Sequence, residues 1–273
     1  MHPPHGGPPP QVPLPNVKHL VAVASGKGGV GKSTVAVNLA LALRTTGYRV
    51  GLTDADIYGP SIPTMMGVPA VDPHTTPFPL ERYGIKLMSM GFVLNRSQAA
   101  VLRGPMVHRY LTAFLTQLSW GELDFLLVDL PPGTGDAQLS LSQTAVVSGA
   151  VIVTTPQEVS QDVARRGLEM FRQVRVPVLG VVENMSYFVA DDGKRYDIFR
   201  HGGGRKLARE AGVPFLGEIP IDPRVAACGD EGDPIVHKHP DSPAGQAYQA
   251  LAAAVVQELQ HRPQGGELPE AQL

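Results

Sequence analysis

Residues 19–45 read HLVAVASGKGGVGKSTVAVNLALALRT, and this stretch decides the fold. An apolar run ends at Ser25, a glycine-rich turn follows, and an Ala/Leu/Val-rich segment then continues without Gly or Pro to Thr45. The turn fits G-x-x-x-x-G-K-[ST] at Gly26, Gly31, Lys32 and Ser33, in the strand–turn–helix context that gives the pattern its meaning. The glycines of Gly26, Lys27, Gly28, Gly29, Val30 and Gly31 let the backbone turn its N–H groups inward around a phosphate chain. Lys32, Ser33 and Thr34 open the following helix, whose N-terminal partial charge favours an anion. Lys32 is placed to reach outer phosphates, and the Ser33 hydroxyl to bind Mg²⁺.

Outward from this loop, short β-rich apolar runs alternate with helix-like stretches. The predicted strands are 19–24, 49–53, 85–90, 125–130, 150–154, 178–182 and 215–219. The predicted helices are 33–45, 106–118, 137–148, 160–174, 204–211 and 243–260. Several strands are apolar on both faces, as in a parallel sheet covered on each side. The expectation is one α/β domain with a mostly parallel twisted sheet of about seven or eight strands and helices on both faces. Ligands of such folds sit beyond the carboxyl ends of the strands.

Composition narrows the function class. Hydrophobic residues make up 43% and charged residues 18%, so wholesale disorder is excluded. A net charge of −2 supplies no global field toward nucleic acid or anionic lipid. The single cysteine, Cys228, excludes an intramolecular disulfide framework. Gly and Pro form about a fifth of the chain against a typical ~12%, partly because residues 1–15 hold seven prolines. Residues 1–17 therefore read as a disordered lead-in, 18–261 as a single domain, and 262–273 as a flexible tail. The opening residues carry no signal peptide, and no apolar run approaches the ~20 residues that span a bilayer. A cytoplasmic protein without nucleic-acid or membrane partners is expected.

Carboxylates stand where the strands end. Asp54 and Asp56, in DADIYGPS, close the second strand and can both face the phosphates. The residues alone do not assign which one supports Mg²⁺ and which orients water. Asp129 ends the run FLLV, a carboxylate at the tip of an apolar strand that would hold Mg²⁺ directly or through water. PPGTGD follows, with Pro132, Gly133 and Gly135 forming a switch-like loop open to the terminal phosphate, and Asp136 as N-cap of the next helix. No N-K-x-D element follows a late strand. Asn184-Met185-Ser186 stands there instead, which favours adenine over guanine.

Lys27, directly after the first loop glycine, makes the loop resemble the deviant Walker A of the MinD/ParA/nitrogenase-iron-protein group of P-loop NTPases. With DADIYGPS (54–61), LLVDLPPGTGD (126–136), ENMSYF (183–188), IFRHGGG (198–204) and IPIDPRV (219–225), the chain resembles the Mrp/ApbC family of iron–sulfur cluster carrier ATPases. The resemblance runs from about Val17 to Ala254 and implies a slow ATPase using ATP and Mg²⁺. It implies that Asp54 supports the Mg²⁺ shell and that Asp56 orients the attacking water. Lys27 would reach the partner's nucleotide across a homodimer interface on the nucleotide face. Asn184 would contact the base, with Pro220 and Asp222 of the 219–224 loop on its other side. Apo iron–sulfur proteins are the implied clients.

Two departures stand out. Many members carry C-x-x-C after N-M-S, but this chain reads FVADDGKRYDIF over 188–199, with Ala190 at the first cysteine position. Cys228, in the loop after IPIDPRV, leaves a symmetric dimer at most two thiolates, while a four-iron cluster normally takes four. An iron–sulfur cluster is therefore implied by the resemblance only. Arg200 replaces the glycine of I-F-G, a departure that bears on the local backbone. A spatial or partitioning ATPase of the MinD/ParA type is the alternative. The acidic ELPEAQL ending and the scarcity of basic pairs argue against its membrane helix and its DNA-binding clusters.

Overall fold

Strand order places the phosphate loop at the centre of the molecule. The computed structural model describes residues 11–261 apart from 57–58, 74, 77, 94–103 and 134. Its main sheet has eight strands. They are β1 (Val17–Ser25), β2 (Val50–Asp54), β3 (Leu80–Arg82), β4 (Ile85–Ser89), β5 (Leu123–Asp129), β6 (Gly149–Thr154), β7 (Val178–Glu183) and β10 (Phe215–Glu218), in the order β10-β7-β6-β1-β5-β2-β4-β3. All neighbours are parallel except β3 against β4 at the edge. A small antiparallel pair, β8 (Phe188–Val189) and β9 (Arg195–Tyr196), stands apart. The eight-stranded, mostly parallel sheet agrees with the expected α/β fold. The edge strand β3 and the β8–β9 hairpin were not expected, because three- and two-residue strands carry too little periodicity to read.

The helices follow from the crossovers. The larger ones are α1 (Lys32–Thr45), α4 (Gly104–Thr116), α5 (Asp136–Thr144), α6 (Glu158–Gln173), α7 (Gly203–Glu210), α8 (Pro223–Glu231) and α10 (Pro243–Gln260). Short turns form α2 (Ile62–Met65), α3 (Met90–Val93) and α9 (Ile235–Lys238). Right-handed crossovers send α1 to one face, where α10 packs on it, and send α4 to α7 to the other. Strands β2, β6 and β7 are buried along their whole length, which is why their sequences are apolar without alternation. Helix α1 is buried from Val35 to Leu43. Its polar Asn38 is satisfied by donating to the Thr34 carbonyl and accepting from Val236 N–H.

Three expectations change in detail. Residues 11–16, assigned by composition to the lead-in, are tied to the body. Val12 N–H donates to the Thr144 carbonyl, and Leu14 packs against the core. Helix α5 stops at Thr144 rather than at 148, because Ala145 turns extended and bridges Val12. Cys228 lies in α8, not in a loop. Asp222 caps α8 by accepting Arg224 N–H, Pro223 follows at the first helical position, and Gly232 closes it with φ 73°. Arg200 has φ 77°, in the left-handed region that glycine reaches freely, so its Cβ bears strain there.

Candidate active site

The carboxyl ends of β1, β5 and β2 converge. Asp54 and Asp129, far apart in sequence, are direct partners in the β2–β5 register. Both are fully buried. The Lys32 ammonium lies 2.6 Å from Asp129 Oδ1, and the Ser33 hydroxyl donates to Asp129 Oδ2 over 2.6 Å. Lys32 also reaches Ser33 Oγ at 3.1 Å. Asp54 accepts from the Ser89 hydroxyl and from the N–H groups of Asp56 and Ile62. One ammonium thus faces two buried carboxylates. Burial first, and then the charge of Asp129, push the Asp54 carboxyl up to about 8, with Lys32 opposing. Burial likewise raises Asp129 against the stabilising pull of Lys32 and Ser33.

Two buried carboxylates share one ammonium here, and a divalent ion would stabilise both in their charged forms. Ser33 Oγ with the carboxylates of Asp54 and Asp129 forms an all-oxygen donor set of the kind Mg²⁺ takes, with nucleotide phosphates and water completing it. The residues present therefore fit the ion.

Packing determines the loop's path. A Cβ on Gly26 would come within 2.3 Å of the Val163 backbone in α6. Gly31 has φ 78°, and a Cβ there would meet Asn184 Nδ2 at 2.2 Å. Asn184 is buried and donates from that nitrogen to the Val30 carbonyl at 2.8 Å. The structure thus adds a loop-holding contact to the base contact expected of Asn184. Pro220 is buried, and Asp222 is spent on capping α8 and pairing with Arg224. Lys27 is half-buried and has no ion-pair partner among the described residues.

Asp56 borders a cleft of about 460 Å³ shared with Ala55, Val107, Pro132, Gly135 and Gln138. Its Oδ1 accepts Gly59 N–H at 3.2 Å. The loop after β5 is anchored at Gly133, whose N–H donates to the Ser25 carbonyl. Gly135, not Asp136, is the N-cap of α5, and Asp136 is the first helical residue. Sequence reasoning missed Gln138. Its place three residues after the N-cap was the available signal, since Glu or Gln there reaches back to the N-cap N–H. Thr134, within the same motif, and Ile57 and Tyr58 of DADIYGPS lie outside the described residues.

A family model described as ParA, NUBPL iron-transfer P-loop NTPase, matches residues 16–256. This chain belongs to that family. It is 53% identical to an iron–sulfur cluster carrier protein of Deinococcus radiodurans over 95% of this chain and 75% of the relative. Among solved structures, it is similar to a nucleotide-binding protein from Archaeoglobus fulgidus in complex with ADP. That similarity has 42% identity and a TM-score of 0.69, over 81% of this chain and 88% of the other. The cell division ATPase MinD of Pyrococcus furiosus, at 21% identity and TM-score 0.69 over 88% and 99% of the two chains, shares the fold alone. The match covers the phosphate-loop segment and the strands β1, β2 and β5 whose ends gather Lys32, Ser33, Asp54 and Asp129. Among the described residues, no helix is long and apolar enough to cross a membrane.

Proposed function

We propose that the chain is a Mg²⁺-dependent ATPase that dimerises through its nucleotide face and acts in the transfer of iron–sulfur clusters to apoproteins. The observation that carries the reading is the hydrogen-bonded Lys32–Asp129–Ser33 constellation, its lysine and carboxylate buried, beside Asp54 and next to a glycine loop. The backbone N–H groups of 26–34 and Lys32 bind the phosphates. Ser33, Asp54 and Asp129 hold Mg²⁺, which neutralises phosphate charge when bound. Asp56 faces the open cleft and orients water for attack on the terminal phosphorus. The bond from that phosphorus to its bridging oxygen breaks, giving ADP and phosphate. Asn184 and the 219–224 loop flank the base.

The cluster is cargo in this reading. Ala190 stands at the family's first cysteine position, and Cys228 is buried at 2% exposure, with burial pushing its thiol up. Among the described residues no group of three or more His, Cys, Asp or Glu could hold a metal ion. The proposed contribution is ATP-driven delivery in the cytoplasm, assisted by thiolates of other proteins.

The test has two arms. Calorimetry with Mg²⁺–ATP should show binding, and its absence would overturn the reading. Anaerobic incubation with a cluster-loaded donor and an apo iron–sulfur enzyme should show ATP-dependent activation. Activation equal with and without this chain would remove the transfer role while leaving the ATPase standing.

A further inference from the structure

The loop after β5 is held at both ends, and one side chain provides the second hold. Gln138 is buried at 2% exposure, on the second residue pair of α5. Its Nε2 donates to the Gly133 carbonyl at 2.6 Å, and its Oε1 accepts Gly135 N–H at 3.0 Å. Gly133 in turn donates its N–H to the Ser25 carbonyl, where the phosphate loop leaves β1. A continuous hydrogen-bond chain therefore runs from the start of the phosphate loop, through both backbone groups of Gly133, into the first turn of α5. Gly133 has φ 100°, which glycine reaches without strain, so the cost of fixing it there is the conformational freedom it gives up. The loop begins at Asp129, whose carboxylate pairs with Lys32 of the phosphate loop.

From this geometry we infer that Gln138 is a positioning residue for the terminal phosphate: it holds Gly133 and Gly135 in the placement that receives ATP and the attacking water. The inference rests on the proposed ATPase reading and deepens it. Loss of both amide bonds frees a loop with two glycines, and the ordering cost then falls on the ATP-bound and transition states. ADP, which lacks the phosphate the loop faces, is insensitive to it.

Gln138→Met keeps the volume and removes both bonds. Gln138→Glu keeps the acceptor for Gly135 but sets a carboxylate against the Gly133 carbonyl. Calorimetry with Mg²⁺–ADP and a non-hydrolysable ATP analogue, together with turnover at saturating ATP, reads the effect in the full chain. Both variants should bind ADP within about twofold of the parent, bind the analogue about tenfold more weakly, and lose about tenfold or more in kcat. Parental kcat in Gln138→Met overturns the inference. So does an equal loss of ADP and analogue affinity in both variants, which would mark Gln138 as part of the general scaffold. A parent that binds neither nucleotide overturns the ATPase reading itself, and this inference with it, before any variant is compared.

Discussion

A buried ammonium paired with Asp129, beside a second buried carboxylate on Asp54, sets the chemistry of Lys32 and Asp54. Lys32 is the one described cation in contact with Asp129, and charge-assisted contacts to phosphate are strong. Lys32→Ala is expected to abolish ATP binding in calorimetry; parental affinity would move the phosphate site elsewhere. Asp56 lines the open cleft, so Asp56→Ala should retain ATP binding and lose turnover by about 100-fold or more, read as a single-turnover rate. The raised Asp54 carboxyl also makes a pH prediction. Between the ordinary value of 3.8 and about 8, the folded protein holds a proton that the unfolded chain has released. Stability of the metal-free protein should therefore fall as pH rises through that window and level off above it. Asp129 adds in the same direction. Urea denaturation at several pH values should show the slope, and Asp54→Asn should flatten it; an unchanged slope would assign it to other groups.

Among the elements, the turn after the β8–β9 hairpin carries backbone strain at Arg200. Arg200 holds φ 77°, where a Cβ costs about 1–2 kcal/mol. Its guanidinium pairs with Glu158 at 2.6 Å, but both side chains are 69% exposed, so the pair is worth little. Relief of strain should outweigh both the lost pair and the added freedom of the unfolded chain. Arg200→Gly is expected to stabilise the protein by about 0.5–1 kcal/mol, or roughly 1–4 °C in Tm. A lower Tm would show that Arg200 makes contacts worth more than its strain. Helix α8 offers a different lesson. Its Asp-Pro start and Gly end were legible signals, yet the segment read as a loop because its apolar periodicity is weak.

For the whole molecule, the exposed nucleotide face and Lys27 carry the dimer proposal. In the proposed reading Lys32 and the loop N–H groups serve the phosphates of their own subunit. Lys27 finds no ion-pair partner among the described residues. In a two-fold dimer the same patch meets itself, so two Lys27 side chains would approach each other uncompensated unless nucleotide lay between them. Lys27→Ala in an Asp56→Ala background should bind ATP like Asp56→Ala alone, yet sediment with a smaller dimer fraction. Equal dimer fractions in the two proteins would leave Lys27 as a surface residue and remove the face-to-face arrangement.

The strand–loop–helix unit of 17–45, the parallel α/β class and the carboxylates at the tips of β2 and β5 were determined by local sequence. An apolar run, a glycine spacing and a closing acid are each contained within a few neighbouring residues. What only the tertiary structure decided is non-local. The insertion of β5 between β1 and β2 makes Asp54 and Asp129 direct neighbours, with a single ammonium, Lys32, paired to Asp129. The approach of β7 to the phosphate loop turns Asn184 into a support for Val30 and makes Gly31 the residue that fits. The packing of α8 buries Cys228. The edge strand β3 and the hold of Gln138 on Gly133 were also invisible, since strand order and side-chain hydrogen bonds depend on contacts that periodicity does not encode.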